Sequence, residues 1–284
     1  MSAAASRKHT IIIKVLELCV AIVLLGVILL PLAWLVLISV RPVAEVYAYP
    51  LSFWPQEFTL NAYRSVWVSR EYNTNWVTYF VNTTIISVGA GITVAFLGML
   101  IGYTLSRMRG RPVQQTLLLF VIVQLFEGPA LIIPIYLVMN WLGLYDTRIG
   151  YALLLIIFFL PFAALLSLSF AHSVPVEIDE AAKIDGCSDW QFFYKVFLPA
   201  SKVGVVTVGL MAFLLMWGEY PFALTLLKGD NRTVSTALVD LISGISVYWN
   251  NLAAAATISS IPVILVLIFA QRHIVSGLTM GSGK

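Results

Sequence analysis

The chain has 284 residues, 60% hydrophobic and 11% charged, with a formal charge of +3 and a mean hydropathy of +0.92. Soluble domains carry about 25% charged residues, so this composition excludes one and indicates a membrane protein, because only surface facing lipid stays apolar without aggregating. The basic residues are too few and too scattered for a nucleic-acid partner. Cys19 and Cys187 lie far apart without a CxxC spacing, which indicates neither a metal site nor a disulfide framework.

The first apolar run extends from Leu16 to Val40 and is broken only by Glu17, Pro31 and Ser39. It is longer than the core of a signal peptide, about 7–15 residues, and carries no A-x-A site, so it reads as an uncleaved first span. A membrane-crossing helix needs about 20 mostly apolar residues. Six segments qualify, at 15–40, 79–106, 115–140, 149–172, 203–227 and 252–271. The predicted fold is all-α and polytopic. A six-span transmembrane domain over 15–272 follows a segment at 1–14 and precedes a tail at 273–284. Gly98 and Gly102 in the second span have the spacing that lets two helices approach closely. Pro31, Pro129, Pro134, Pro161, Pro221 and Pro262 fall inside spans, which suggests bent helices whose freed carbonyls find partners in neighbours.

Orientation follows from Lys and Arg in the short connections. With six spans, eleven of the 17 Lys and Arg residues fall on the side of both termini, which predicts that both termini are cytoplasmic. The loop at 173–202 lies on that side. The other side holds Trp54, Trp67 and Trp76 in the 41–78 connection, where aromatic residues anchor at a membrane interface, and the connection at 228–251. Two acids lie within predicted spans, Glu127 in LFEGP and Glu219 in WGEYPF. Ionisable residues there are costly and are functional candidates by default. They could line a polar path for hydroxyl-rich solutes, with Trp217 and Tyr220 stacking on sugar faces. A helix–helix hydrogen bond without solute contact is the competing account.

The 173–202 loop carries its own helix punctuation. Ser173 is a candidate cap for a helix whose start holds Pro175, Glu177 and Asp179, residue types suited to that end. That helix runs through Glu180, Ala181, Ala182 and Lys183 to Gly186, a left-handed stop. Ser188 and Gln191 then form a capping box for a second helix, which presents Trp190, Phe193 and Phe197 and ends or kinks at Pro199. A helix–turn–helix with a fixed turn is a stiff block, and small alanines let another surface come close. A solvated loop lying on the membrane face remains the alternative at this point.

The stretch EAAKIDGCSDWQFFYKVFLP resembles the signature of the permease subunits of ABC importers. Glu180, Ala181, Ala182, Asp185, Gly186, Leu198 and Pro199 match it. GYTLSRMRGRP and the C-terminal AQRHIVSGLTMGSGK are similar to the carbohydrate-uptake branch, of the maltose-transporter type of second permease. Cys187 stands where alanine is usual, Lys202 where proline often stands, and SRMRGRP lacks the usual Phe-x-Gly-Lys ending. The resemblance implies a bacterial or archaeal cytoplasmic-membrane subunit that forms half of a pathway for a sugar or sugar-like solute. It implies as partners a second permease, two ATPase subunits and an extracytoplasmic solute-binding protein, within membrane lipid. It implies that Glu180 and Asp185 anchor to the ATPase, Ala181 and Ala182 let it seat, Gly186 makes the turn, and Leu198 and Pro199 brace the second helix. The C-terminal tail and the 242–249 loop are further contact candidates by the same resemblance. No G-x-x-x-x-G-K-[ST] phosphate loop occurs in the sequence, so ATP and Mg are expected in the partner ATPases and no cofactor on this chain. Two other readings stay open: a proton-coupled transporter using Glu127, Glu219 and His172, and a membrane enzyme, for which no HExxH or comparable constellation is present.

Overall fold

The computed structural model describes residues 2–50, 52–68, 75–126, 128–242 and 247–281, and every regular element among them is helical. The chain divides into two compact units, residues 1–73 with 241–258, and residues 74–240 with 259–284.

The first unit contains α1 (Ser2–Ser39), α2 (Val43–Val46) and α3 (Asn61–Val68). Apolar side chains from Leu16 to Leu32 stand exposed along α1, as expected of a helix facing lipid tails. Its end is tied down by Arg41, whose buried guanidinium donates to the carbonyls of Ser52 (2.8 Å) and Phe53 (2.6 Å) and lies 5.0 Å above the Trp34 ring.

The second unit is built around α4 (Trp76–Arg107) and α7 (Arg148–Ala171). They pack closely because α4 has no side chain at two contact points. A Cβ on Gly98 would lie 2.9 Å from the Ala163 Cβ, and one on Gly102 would lie 2.7 Å from the Leu168 amide nitrogen and the Ser167 Cβ. The glycine pair therefore does what its spacing suggested. Helix α11 (Lys202–Trp217) packs against the same pair, with Val208, Ala212 and Met216 buried in the shared core.

Among the described residues, four helices are long and apolar enough to cross a membrane, within Ile13–Ser39, Trp76–Arg107, Arg148–Ala171 and Trp249–Phe269. Two bent pairs bring the number to six if each counts as one span. The third expected span is such a pair, α5 (Arg111–Leu125) and α6 (Ile132–Trp141), with the 3-10 turn Gly128–Leu131 between them. Pro129 lies in that turn and Pro134 in the first turn of α6, where a missing N–H costs least. The fifth expected span differs more. It stops at Trp217, and a short helix, α12 (Pro221–Leu226), follows after a break. Proline at the first helical position makes that restart. The last helix, Trp249–Gly281, starts earlier and ends later than the 252–271 run suggested.

Candidate functional site

The loop after α7 folds as two helices joined by a tight turn. The first, α8 (Val176–Ile184), has Pro175 rather than Ser173 at its cap position. Ser173 instead donates its hydroxyl to the Phe170 carbonyl at 2.7 Å, closing the end of α7. The expected cap is corrected: a serine three residues past a carbonyl of a helix's last turn finds that acceptor locally. The turn holds to expectation. Gly186 has φ +80°, a conformation that penalises any side chain. The amide of Gly186 donates to the Lys183 carbonyl at 3.1 Å and that of Cys187 to the Ala182 carbonyl at 3.0 Å. These two bonds are the Schellman closure. Cys187 acts through its backbone, which is why a departure from alanine leaves the turn intact.

The second loop helix begins at α9 (Asp189–Phe192) with the capping box complete. The Ser188 hydroxyl accepts the Gln191 amide, and the Gln191 side chain accepts the Ser188 amide. It then widens into a π turn, Phe193–Phe197, in which the Leu198 amide reaches back to the Phe193 carbonyl. The short α10 (Leu198–Ala200) follows and contains Pro199. A π turn is one way for a helix to accommodate an interruption of its regular ladder. The apolar face is shifted from the expected one. Phe192, Phe193 and Phe197 are fully buried, whereas Trp190 is 56% exposed. The chain bends by 83° between 189–200 and α11.

What holds this block is a clasp that sequence reading did not assign. Asp179, inside the loop signature's first helix, is buried. Arg107, the last residue of α4, binds it with a two-pronged fork: Nε to Oδ2 at 2.8 Å and Nη2 to Oδ1 at 3.0 Å. The same Nη2 donates to the Val174 carbonyl at 2.9 Å. The Tyr103 hydroxyl, one turn earlier on α4, donates to Asp179 Oδ2 at 3.1 Å. The Tyr103 ring packs against Phe197 (4.7 Å between centroids), Phe193 (5.7 Å) and Phe192 (5.8 Å). One side chain of α4 thus touches both loop helices. A bidentate arginine–carboxylate pair fixes direction as well as distance.

Most of the residues that match the loop signature are turned away from the core. Glu180, Ala181, Asp185 and Gly186 are exposed, Ala182 and Leu198 are partly buried against the core, and Pro199 is exposed. Ile184 stands 87% exposed beside them. The two acids are unencumbered by the clasp because Asp179 alone turns inward.

The candidate path residues fall differently. Glu127 lies outside the described residues, as do 243–246 of the 242–249 loop and the side chains of the C-terminal tail. Glu219 sits in the break before α12 and caps it: Oε1 accepts the Phe222 amide at 2.8 Å and Oε2 the Ala223 amide at 3.1 Å. Tyr151 on α7 donates its hydroxyl to Oε2 at 2.5 Å. This is the interhelical hydrogen bond that competed with the path reading, extended by two of the donors a helix start leaves unpaired. Trp217 is 6% exposed, donates its indole N–H to the Ser259 carbonyl at 3.1 Å, and has its ring against Phe80 and Phe213. Its faces are taken up by packing. Tyr220 is half-buried.

Among the described residues the chain is all-helical, rich in candidate spans, and presents a helix–turn–helix clasped to α4. The chain belongs to the family described as binding-protein-dependent transport system inner membrane component, whose sequence model matches residues 95–280. It is 29% identical over 257 residues to the inner membrane ABC transporter permease protein YcjP of Escherichia coli (strain K12), covering 90% of this chain and 91% of the relative. It is also 29% identical over 263 residues to the diacetylchitobiose uptake system permease protein NgcG of Streptomyces coelicolor, covering 90% of this chain and 84% of the relative. The fold is shared with a bacterial ABC transporter involved in the import of the acidic polysaccharide alginate, with a TM-score of 0.76 and 24% identity over 96% of this chain and 98% of that one. The protein is therefore a multi-pass inner-membrane permease subunit of a binding-protein-dependent ABC importer and its non-catalytic component. The proton-coupled and enzymatic readings give way to this.

Proposed function

We propose that the chain forms half of the pathway for a sugar-like solute, together with a second permease, and that residues 173–202 dock on one of two ATPase subunits that hold ATP and Mg. The observation that carries this is the split of the loop's acids. Asp179 is clasped inward while Glu180 and Asp185 face out beside exposed Ala181 and Gly186. Such a face, low and acidic on a backbone stiffened by the Schellman closure and capping box, suits a basic-rimmed groove. The sugar class rests on relatives named for diacetylchitobiose and alginate, and the solute-binding protein usually sets the choice among sugars. The spans 15–272 act as one permease domain with both termini cytoplasmic, which the distribution of Lys and Arg supports. Glu127 and Tyr220 remain the path candidates.

Gly186→Pro and Glu180→Lys test the docking role. Both variants are expected in the membrane at wild-type amounts, with uptake reduced about tenfold or more, the order expected when a partner contact worth 1.4 kcal/mol or more is lost. Wild-type uptake with normal ATPase assembly in both variants rules the docking role out.

A further inference from the structure

We infer that Tyr103 and Arg107 are positioning residues of the transport cycle, through which displacement of the loop enters the helix bundle by way of α4. The inference rests on the docking role proposed above and adds the route that movement takes after docking.

Three connections lead from the loop into the bundle. Two are covalent: residues 172–175, which join α7 to α8, and Ser201, where the chain turns by 83° into α11. Such short joints outside the regular helices absorb displacement as rotation. The third is the clasp on α4, which removes such freedom. Arg107 holds Asp179 by two prongs and the Val174 carbonyl by the same nitrogen. Tyr103 bonds Asp179 and packs against all three buried phenylalanines of the second loop helix. Phe96, two turns earlier on α4, meets Phe193 edge-on at 5.9 Å. Both loop helices are thus fixed to one rod in position and in angle. The rod in turn is locked to α7 at Gly102, where the two backbones leave no room for a Cβ. Close-packed interfaces shift as blocks rather than deform, so a push on α8 moves α4 and α7 together while the bend at Ser201 takes up the difference.

The experiment uses the complete transporter, with its second permease, ATPases and binding protein, in proteoliposomes. It measures solute entered per ATP hydrolysed, a ratio that mere loss of folded protein leaves unchanged. The variants are Arg107→Ala, Asp179→Asn and the two combined. Asp179→Asn keeps the volume of the side chain and removes its charge, so it weakens the clasp without opening a cavity. Each single variant is expected to lower the ratio about tenfold while the ATPase still co-purifies, and the combined variant to be no worse than the poorer single, as for residues that act as one unit. An unchanged ratio in the singles overturns the inference. So does a combined loss of about a hundredfold, the product of two independent effects. So does loss of the ATPase from the complex with uptake and hydrolysis falling together, which makes the pair a matter of docking alone. Failure of the docking role itself shows separately, as an Asp185→Cys variant that forms no cross-link to any ATPase subunit.

Discussion

Helix α4 is clasped at both ends, and the two clasps use different chemistry. At the Arg107 end an ion pair holds a folded loop, with charge on both partners and the carboxylate buried. At the Asn82 end most of the bonds join the neutral side chains of Asn82 and Thr83 to backbone, and α4 itself contributes no charge. Asn82 Nδ2 donates to the carbonyls of Asp230 (2.7 Å) and Arg232 (3.0 Å), its Oδ1 accepts Arg148 Nη1 at 3.0 Å, and the Thr83 hydroxyl accepts the Val234 amide at 2.9 Å. Asp146 completes that end, accepting the Lys228 amide at 2.7 Å on Oδ1 and the Asn231 side chain at 2.7 Å on its carbonyl. Several moderate bonds spread over many groups fix the course of a connection and tolerate single losses. An ion pair concentrates direction and strength in two residues, and losing one strands a buried charge. The first arrangement suits a brace, and the second suits a joint that must not slip.

The largest effect is expected where both clasps share a foundation. Gly102→Leu forces atoms into the Ser167–Leu168 backbone, which cannot yield as a side-chain tip would. Overpacking costs about 1–3 kcal/mol and more where backbone is struck. The chain should then be depleted about tenfold or more from the membrane fraction, measured by quantitative immunoblotting, and what remains should lack both clasps. Normal accumulation would mean that α4 and α7 are not held at this contact.

Asn82→Leu breaks only the neutral clasp. It strands two carbonyls and one arginine prong, a cost of about 1–3 kcal/mol, and Arg148 is exposed and can turn to water. The expected outcome is a lower thermal midpoint of the purified chain, with solute entered per ATP unchanged. A fall in that ratio as deep as that expected for Arg107→Ala would erase the distinction between the two ends.

The sequence made part of this plain. Run lengths placed four candidate spans, Gly186 and the Ser188–Gln191 pair placed the turn and second helix, and Gly98 with Gly102 marked the α4 contact. These are local signals, or periodic ones. Asp179 was out of reach for a physical reason. It differs from Glu180 by one residue's rotation about the helix, and its partner Arg107 is 72 positions away. Nothing local tells which acid of IDEAAKID turns inward. Glu219 had the opposite difficulty. An acid in a span invites a solute or a proton, but Pro221 beside it had already announced a helix start with unpaired amides. Those amides claimed the carboxylate. Trp217, next to the same break, was read for its ring faces, while burial between Phe80 and Phe213 depends on helices that meet only in three dimensions.

The smallest effect sharpens the comparison most. Lys183 and Asp189 also form an ion pair within the loop, Nζ to Oδ1 at 3.2 Å, yet the side chains are 60% and 77% exposed. Water screens such a pair, and two long or mobile side chains lose entropy to hold it, so its worth is about 0–1 kcal/mol. The turn it spans is already closed by the Gly186 and Cys187 amides. Lys183→Ala should therefore shift the thermal midpoint by no more than a degree or two and leave solute per ATP within about twofold of wild type, in the same proteoliposomes in which Arg107→Ala is compared. Two ion pairs of the same loop would then differ in consequence because one is buried against a span and the other is not. An uncoupled Lys183→Ala transporter would place the decisive charge on the loop's outer face, and the assignment of Arg107 as the joint would have to be given up.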